Sequence, residues 1–301
     1  MTRERSVRGF TTVASPGGRH AEGRGGAPAS TRSVDAPVVA AKRAFVDLHC
    51  HTSASFDSLA TPGGVVRAAA ARGLTHLAIT DHDRIDGALE AQARAVADAP
   101  GLTVIVGQEI RTTAGDLIGV FLHEPVPPGL APAEAVAAVR AQGGLVGIAH
   151  PFDRFRGSVG RGESEALDAL AATVDWIEIW NARLIIGDGN TRAAELAART
   201  GRAGIAVSDA HTTIELGVAA TILAGDPSTP DGLRASLAGP MELLTGRASA
   251  YVRLFGPAAK LVQRARGRGR VRILGPMARG GVASVLGEPG TGSKGDSAPD
   301  R

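Results

Sequence analysis

The chain has 301 residues, 44% of them apolar and only 3% aromatic, with a formal net charge of +3. That length suits one large α/β barrel or two average domains, and no run of eighteen apolar residues is present to span a membrane. The lone cysteine, Cys50, excludes an internal disulfide and favours a reducing cytosol.

Residues 1–43 scatter arginines among Gly, Ser, Pro and Ala with no sustained apolar period. They are expected to be a disordered basic extension without the apolar core of a signal peptide. Beyond them, apolar runs predict strands over 45–48, 77–80, 103–107, 117–121, 145–149, 176–180, 204–208 and 219–223. Between these lie helices. Thr61-Pro62 supplies an N-cap and a first-turn proline for a helix through 65–72, and Gly73 stops it. Pro132 opens the Ala-rich segment to Gln142, closed by Gly143-Gly144, and helices follow over 164–172 and 190–200 before Gly201. About seven strand–helix units argue for a closed barrel with a parallel sheet, an α/β fold. From Gly256 the chain turns basic, with Arg264, Arg266, Arg268, Arg270 and Arg272 on every second residue. No aromatic platform accompanies them, so 256–301 reads as a solvated basic tail appended to a 44–255 barrel. Removing it should barely change a small-molecule enzyme.

Five apolar runs end in residues of one chemical kind. Phe45-Val46-Asp47-Leu48 leads into His49-Cys50-His51, whose two imidazoles share one side of an extended chain and leave Cys50 on the other as a small buried residue. The run at 77–80 leads into Asp81-His82-Asp83, and 104–107 leads into Gln108-Glu109. The run at 145–149 reaches His150, which Pro151 should hold extended, and 204–208 reaches Asp209-Ala210-His211. In a parallel barrel these ends open on one face, where active sites are built. His49, His51, His82, Glu109, His150, Asp209 and His211 exceed what one ion needs. Imidazoles and carboxylates without thiolate suit two or three divalent ions of Mn, Zn or Fe.

Asp47-Leu48-His49-Cys50-His51, Thr80-Asp81-His82-Asp83, Gly107-Gln108-Glu109, Ala149-His150-Pro151 and Ser208-Asp209-Ala210-His211 resemble the successive motifs of the PHP (polymerase and histidinol phosphatase) domain over about residues 44–250. The resemblance implies a distorted (β/α)7 barrel with up to three metals at its carboxyl face. It implies one ion on His49, His51, Glu109 and Asp209, a second sharing Glu109 and taking His150, and a third on His82 and His211. Two positions depart from the familiar pattern, where many members carry histidine: Asp57 and Asp116 stand there instead, and both are taken as metal ligands.

The expected activity is phosphoester hydrolysis on a small, nucleotide-like phosphorylated substrate by a metal-bridging hydroxide. His82, Asp209 and His211 carry the catalysis, with Arg154 and Arg156 on phosphate oxygens. Arg111 and Arg183 also follow strand ends, and Asn181 could orient substrate. Asp81 and Asp83 are expected to brace ligands, while His20, His76 and His123 match no motif. The alternatives are a nuclease on short RNA or DNA using the basic tail, an amidohydrolase, and a non-catalytic metal-binding module. An amidohydrolase would often bridge its metals with a carboxylated lysine, yet Lys42, Lys260 and Lys294 lie outside the motif-bearing strands.

Overall fold

The computed structural model describes residues 42–154, 156–159, 165–249 and 252–270. The expected N-terminal extension up to residue 41 and the last part of the expected tail, from 271, lie outside them. Nine strands form one sheet: β1 (Arg43–Asp47), β2 (His76–Ile79), β3 (Thr103–Arg111), β4 (Asp116–Val120), β5 (Leu145–Ile148), β6 (Trp176–Asn181), β7 (Ala203–Val207), β8 (Ala219–Ala224) and β9 (Met241–Thr245). Arg43, assigned to the extension on sequence, instead opens β1 opposite Ala224. Seven helices accompany them: α1 (Pro62–Ala71), α2 (Asp86–Asp98), α3 (Pro132–Ala141), α4 (Glu165–Ala171), α5 (Gly189–Thr200), α6 (Pro230–Leu237) and α7 (Val252–Ala265). None is long and apolar enough to cross a membrane.

The sheet order β7-β6-β5-β4-β3-β2-β1-β8-β9 curls into a nearly closed barrel. At the carboxyl ends of the strands it closes directly. Cys50 bridges to Ala210, the His51 amide donates to the Ala210 carbonyl at 2.8 Å, and the Ser208 amide donates to Asp47 Oδ1 at 3.1 Å. Towards the other end β8 wedges between β1 and β7. There Thr221 Oγ1 accepts from the Ala206 amide at 2.9 Å and donates to its carbonyl at 3.0 Å, in place of a backbone ladder.

The expected seven-unit alternation is not followed literally. β4 runs antiparallel to both neighbours, and β8 and β9 are antiparallel additions. The reason is the short connection 112–115 after β3, which can join only antiparallel strands. It has a consequence for the site. Because β4 is reversed, its first residue, Asp116, lies on the face where β3 delivers Glu109.

Strand side chains alternate between two cores. Val46, Ala78, Ile105, Ile118, Leu145, Trp176 and Ile205 meet in one cluster together with Leu233 and Leu237 of α6. Leu77, Ile79, Val104, Val106, Val146 and Ile148 pack outward with Val65, Ala88, Val139 and Leu196 of the helices. Each fully buried Leu or Ile contributes about 1.5–3 kcal/mol. A Cβ on Gly147 would fall 2.1 Å from the Trp176 ring, so that glycine is what admits the indole.

The helix ends follow the chemistry of their sequence. Thr61 Oγ1 accepts from the Gly64 amide at 3.2 Å ahead of α1, and Gly201 caps α5 at φ 65°. α7 is the largest departure from expectation. Residues through Ala265 are helical, and the Gln263 side chain is fully buried. Its Nε2 donates to the carbonyls of Ser53, Ser55 and Ser58 at 2.7, 3.0 and 2.7 Å. Deleting 256–301 would therefore unclasp the 53–58 loop that carries Asp57, and it cannot be a neutral truncation. Gln263→Leu leaves the buried Ser55 and Ser58 carbonyls short of a donor, while Ser53 keeps Arg268, a loss of about 1–3 kcal/mol. The expected result is a lower melting temperature and a roughly tenfold weaker hold on Mn. Thermal melts with and without metal check it, and identical melts would refute the clasp.

Candidate metal centre

At the barrel's carboxyl face the sequence-predicted residues converge. Glu109 stands at the middle. Its Oε2 lies 3.3 Å from His49 Nε2, 3.3 Å from His51 Nε2 and 3.2 Å from His82 Nδ1, and its Oε1 lies 3.1 Å from His150 Nε2. Asp209 Oδ1 approaches His49 and His51 at 3.7 and 3.6 Å. Asp57 Oδ2 lies 3.3 Å from His82 and 3.4 Å from His211. Three donor groups emerge with metal-binding spacing: His51, Asp57, His82 and His211; His49, His51 and Asp209; and His49, Glu109 and His150.

This donor set fits divalent ions. His49 Nε2 and His51 Nε2 face each other at 3.0 Å, and Asp57 Oδ1 is buried without a hydrogen-bond partner. Asp116 is different. It is buried on the wall of the adjoining cavity with Oδ1 unpartnered, but it belongs to none of the three groups.

The backbone is turned sharply to make these approaches. Asp83, His150 and Asp209 adopt φ of 56°, 25° and 50°, in the left-handed region that non-glycine residues seldom visit. His150 is thus not extended, as Pro151 suggested. Its amide donates to Glu178 Oε2 at 2.9 Å, and its carbonyl accepts from Ser158 Oγ at 2.7 Å and from the Asp153 amide at 3.1 Å.

Around the donors lies a shell of fixed partners. Asp81 takes both the amide and the hydroxyl of Thr52 at 2.6 Å, and Asp83 Oδ1 accepts from the Arg111 amide at 3.1 Å. Asn181 donates to Asp209 Oδ2 at 3.0 Å and to Glu178 Oε2 at 3.1 Å. Two members carried no motif. Glu178 of β6 is wholly buried, with Oε1 2.7 Å from His49 Nδ1. Glu215 accepts from the His211 amide at 3.0 Å and from Thr212 Oγ1 at 2.8 Å. A charge inside the apolar run Ile177-Glu178-Ile179 was the available signal for the first; Glu215 offered none.

Arg156 binds Asp209 Oδ2 and lies 3.3 Å from Asn181 Oδ1. Arg111, Arg156 and Arg183 line a cavity of about 780 Å³ beside the cluster. Arg154 does not. It is 75% exposed, 3.9 Å from Asp188. Cys50 turns away from the imidazoles, its Sγ 3.4 Å from the Ala78 carbonyl, and burial raises its thiol pKa well above 9.0. His76 lies at the amino end of β2, against Ser228 at 3.0 Å.

Without metal, the carboxylates of the cluster hold protons on two of its imidazoles. Burial opposes a proton on His49, but the Glu178 and Glu109 carboxylates outweigh it and raise the pKa to about 10. His82 rises to about 9, where Glu109 and Asp57 likewise overcome burial. Burial lowers His51, His150 and His211, the last to about 4 with the help of Arg183. A metal can bind only deprotonated imidazole, so ions entering near neutral pH must displace the protons of His49 and His82. Metal affinity should therefore rise with pH towards 9–10 and release about two protons per chain. The metal-free chain behaves oppositely: the contribution of these shifts is full below the ordinary 6.5 and fades as the pH climbs through 9 and 10. Calorimetric Mn titrations in buffers of different ionisation heat test this, and heats independent of buffer would contradict it.

The PHP domain model matches residues 47–178, and the PHP-associated model matches residues 187–238. An uncharacterized protein of Methanocaldococcus jannaschii is 34% identical over 146 residues, covering 45% of this chain and 81% of the relative. A two-domain protein of Bacteroides vulgatus containing a predicted PHP-like metal-dependent phosphoesterase superposes with a TM-score of 0.54 at 20% identity, covering 70% of this chain and 67% of that one. Endonuclease Q, solved in complex with a 27-mer duplex substrate bearing an abasic lesion, superposes at 0.51 with 16% identity, covering 66% and 58%. The fold is that of the PHP-like metal-dependent phosphoesterases. The chain belongs to the PHP domain family.

Proposed function

We propose that this chain is a metal-dependent phosphoesterase acting on a phosphorylated small molecule in a reducing cytosolic setting. The observation that carries the reading is Glu109, a buried carboxylate within 3.3 Å of four imidazoles at the floor of an open cavity. Under it, His49, His51, Glu109 and Asp209 hold one divalent ion, Glu109 and His150 a second, and His82, His211 and Asp57 a third. Mn, Zn or Fe bound there would supply a water nucleophile at neutral pH and take up charge on the phosphoryl oxygens.

The chain's own residues do the remainder. Glu178 fixes the tautomer and tilt of His49 through its 2.7 Å contact with Nδ1. Asn181 and Arg156 fix Asp209. Arg156 and Arg183 make one wall of the cavity cationic, where a phosphate entering towards the cluster is held by charge-assisted hydrogen bonds. Arg154, exposed and outside the cavity lining, is given no part in this reading. Asp116 is kept as a cavity-wall carboxylate whose pKa burial and Glu109 raise to about 7. Glu109 fills the bridging place that a carboxylated lysine takes in many amidohydrolases, which leaves that alternative unsupported.

A second reading, a nuclease on short RNA or DNA, draws on the exposed cations Lys260 and Arg270 at the cavity wall. Endonuclease Q, of similar fold, is solved in complex with a 27-mer duplex substrate. The deciding experiment is metal content by elemental analysis, with hydrolysis of an aryl phosphate, an aryl phosphodiester and a short oligonucleotide, and His82→Ala as control. Two or three ions per chain with turnover lost in His82→Ala is the expected result. Turnover of the oligonucleotide alone would shift the function to the nuclease. No metal after repletion with Mn or Zn would overturn both.

A further inference from the structure

The cavity has a second cationic wall that the metal cluster does not use. Phe56, next to Asp57, stacks against His82 with ring centroids 4.8 Å apart. The same ring carries Lys260 Nζ at 5.5 Å and Arg270 Cζ at 5.3 Å from its centroid. Both cations are exposed and both line the cavity; Lys260 and Arg270 make no ion pair within 4 Å among the described residues, and Arg270 acts on the carboxylates of Asp83 and Asp116 only at longer range. With Phe56 as common neighbour, they stand beside the metal cluster and not within it. Arg156 and Arg183 line the cavity too, but their contacts run to Asp209 and Glu215.

The placement of the two cations is built by the chain. Gln263 locks α7 onto the 53–58 loop, one helical turn after Lys260. Gly267, at φ 73°, then reverses the backbone in a left-handed turn that a side chain would strain. The Arg268 amide donates back to the Gln263 carbonyl at 2.8 Å, and Arg268 Nη1 donates to the Ser53 carbonyl at 3.1 Å. That fold-back brings Arg270 over Phe56. Two exposed cations are thus held over one ring by a helix and the turn that follows it, anchored by a buried amide.

Building on the phosphoesterase reading, we propose that Lys260 and Arg270 form a second anion subsite, and that the substrate carries a second phosphate beyond the one delivered to the metals. The ammonium of Lys260 and the guanidinium of Arg270 match a phosphate dianion or an adjoining phosphodiester. Phe56 offers the connecting part of the substrate an apolar face.

The test is calorimetric binding to the full-length, Mn-loaded protein, with no turnover required. The probes are an alkyl monophosphonate, terminal alkane bisphosphonates with about four to six carbons between the ends, and a phosphorothioate dinucleotide. The bisphosphonate or the dinucleotide should bind about tenfold or more tightly than the monophosphonate. That preference should collapse towards unity in Lys260→Gln and in Arg270→Gln. Preference for the bisphosphonate assigns the second phosphate to a small molecule, and preference for the dinucleotide alone assigns it to the next nucleotide. Equal affinity for all probes, or an equal loss for mono- and bisphosphonate in both variants, would overturn the subsite and leave the phosphoesterase reading intact. A metal-loaded protein that binds no probe at all would overturn both. Both substituted side chains are exposed, so the variants keep the fold.

Discussion

Glu109→Gln should strip the centre of at least one ion per chain and reduce hydrolysis on the order of a thousandfold. The substitution keeps shape and removes charge. In the native chain the carboxylate is held well below its usual pKa: burial opposes ionisation, but His82 and His49 more than compensate. The amide cannot stand in for it. It would offer N–H groups to imidazole nitrogens that need an anion or a cation between them, and it cannot bridge two ions. Because Glu109 is also a main cause of the raised pKa values of His49 and His82, the variant's imidazoles lose part of their reason to hold protons. The fold should survive, since the ladder of β3 does not depend on this side chain. Elemental analysis, turnover and a melting curve check the three parts separately. Full metal content with a rate within tenfold of native would remove Glu109 from the bridging place.

Glu178→Ala should act on the metal without touching it. The carboxylate is fully buried and serves three partners: His49 Nδ1, the His150 amide and Asn181 Nδ2. Its loss leaves the buried Nδ1–H of His49 without an acceptor, with Glu109 and Asp209 remaining only on the Nε2 side. Breaking one side of such a buried pair costs about 3–5 kcal/mol, and losing an outer partner of a metal-binding histidine weakens metal affinity roughly 10–100-fold. Glu178→Gln keeps an acceptor for Nδ1–H but turns its own N–H groups towards the His150 amide and Asn181 Nδ2, which also donate, so it should recover only part of the affinity. Melts of the metal-free chain and Mn titrations of both variants test this. If both quantities stay native in Glu178→Ala, Glu178 does not position His49.

The strands and their chemistry could be read from sequence because the barrel strands are short, nearly continuous apolar runs whose ends change abruptly to His, Asp or Glu. Leu145–Ile148 running into His150 is such a case. β9 was missed because Met241–Thr245 is an edge strand with no fully buried residue, so its pattern carries no burial signal. α2 was missed because its buried stripe is made of alanines, Ala88, Ala91 and Ala95, which barely raise its amphipathicity. The reversal of β4 depends on the length of one turn, and that turn decides whether Asp116 faces the site. Arg154 shows the limit of reading function from nearness in sequence. It follows His150 more closely than Arg156 does, yet it points to solvent while Arg156 reaches Asp209. Gln263 was invisible because no local pattern joins it to a loop 205–210 residues earlier.

That clasp also orders events in time. The candidate metal-binding histidines His49 and His51 are made before their barrel partners, which follow through His211. The loop that carries Asp57, however, finds the amide that fastens it only when residue 263 has been made. A nascent or truncated chain can thus assemble most of the donor set while the Asp57 corner is still unfastened, and ions that reach it early meet an incomplete cage. Among the described residues, the last helix to be synthesised is the one that finishes a site begun by the first strand.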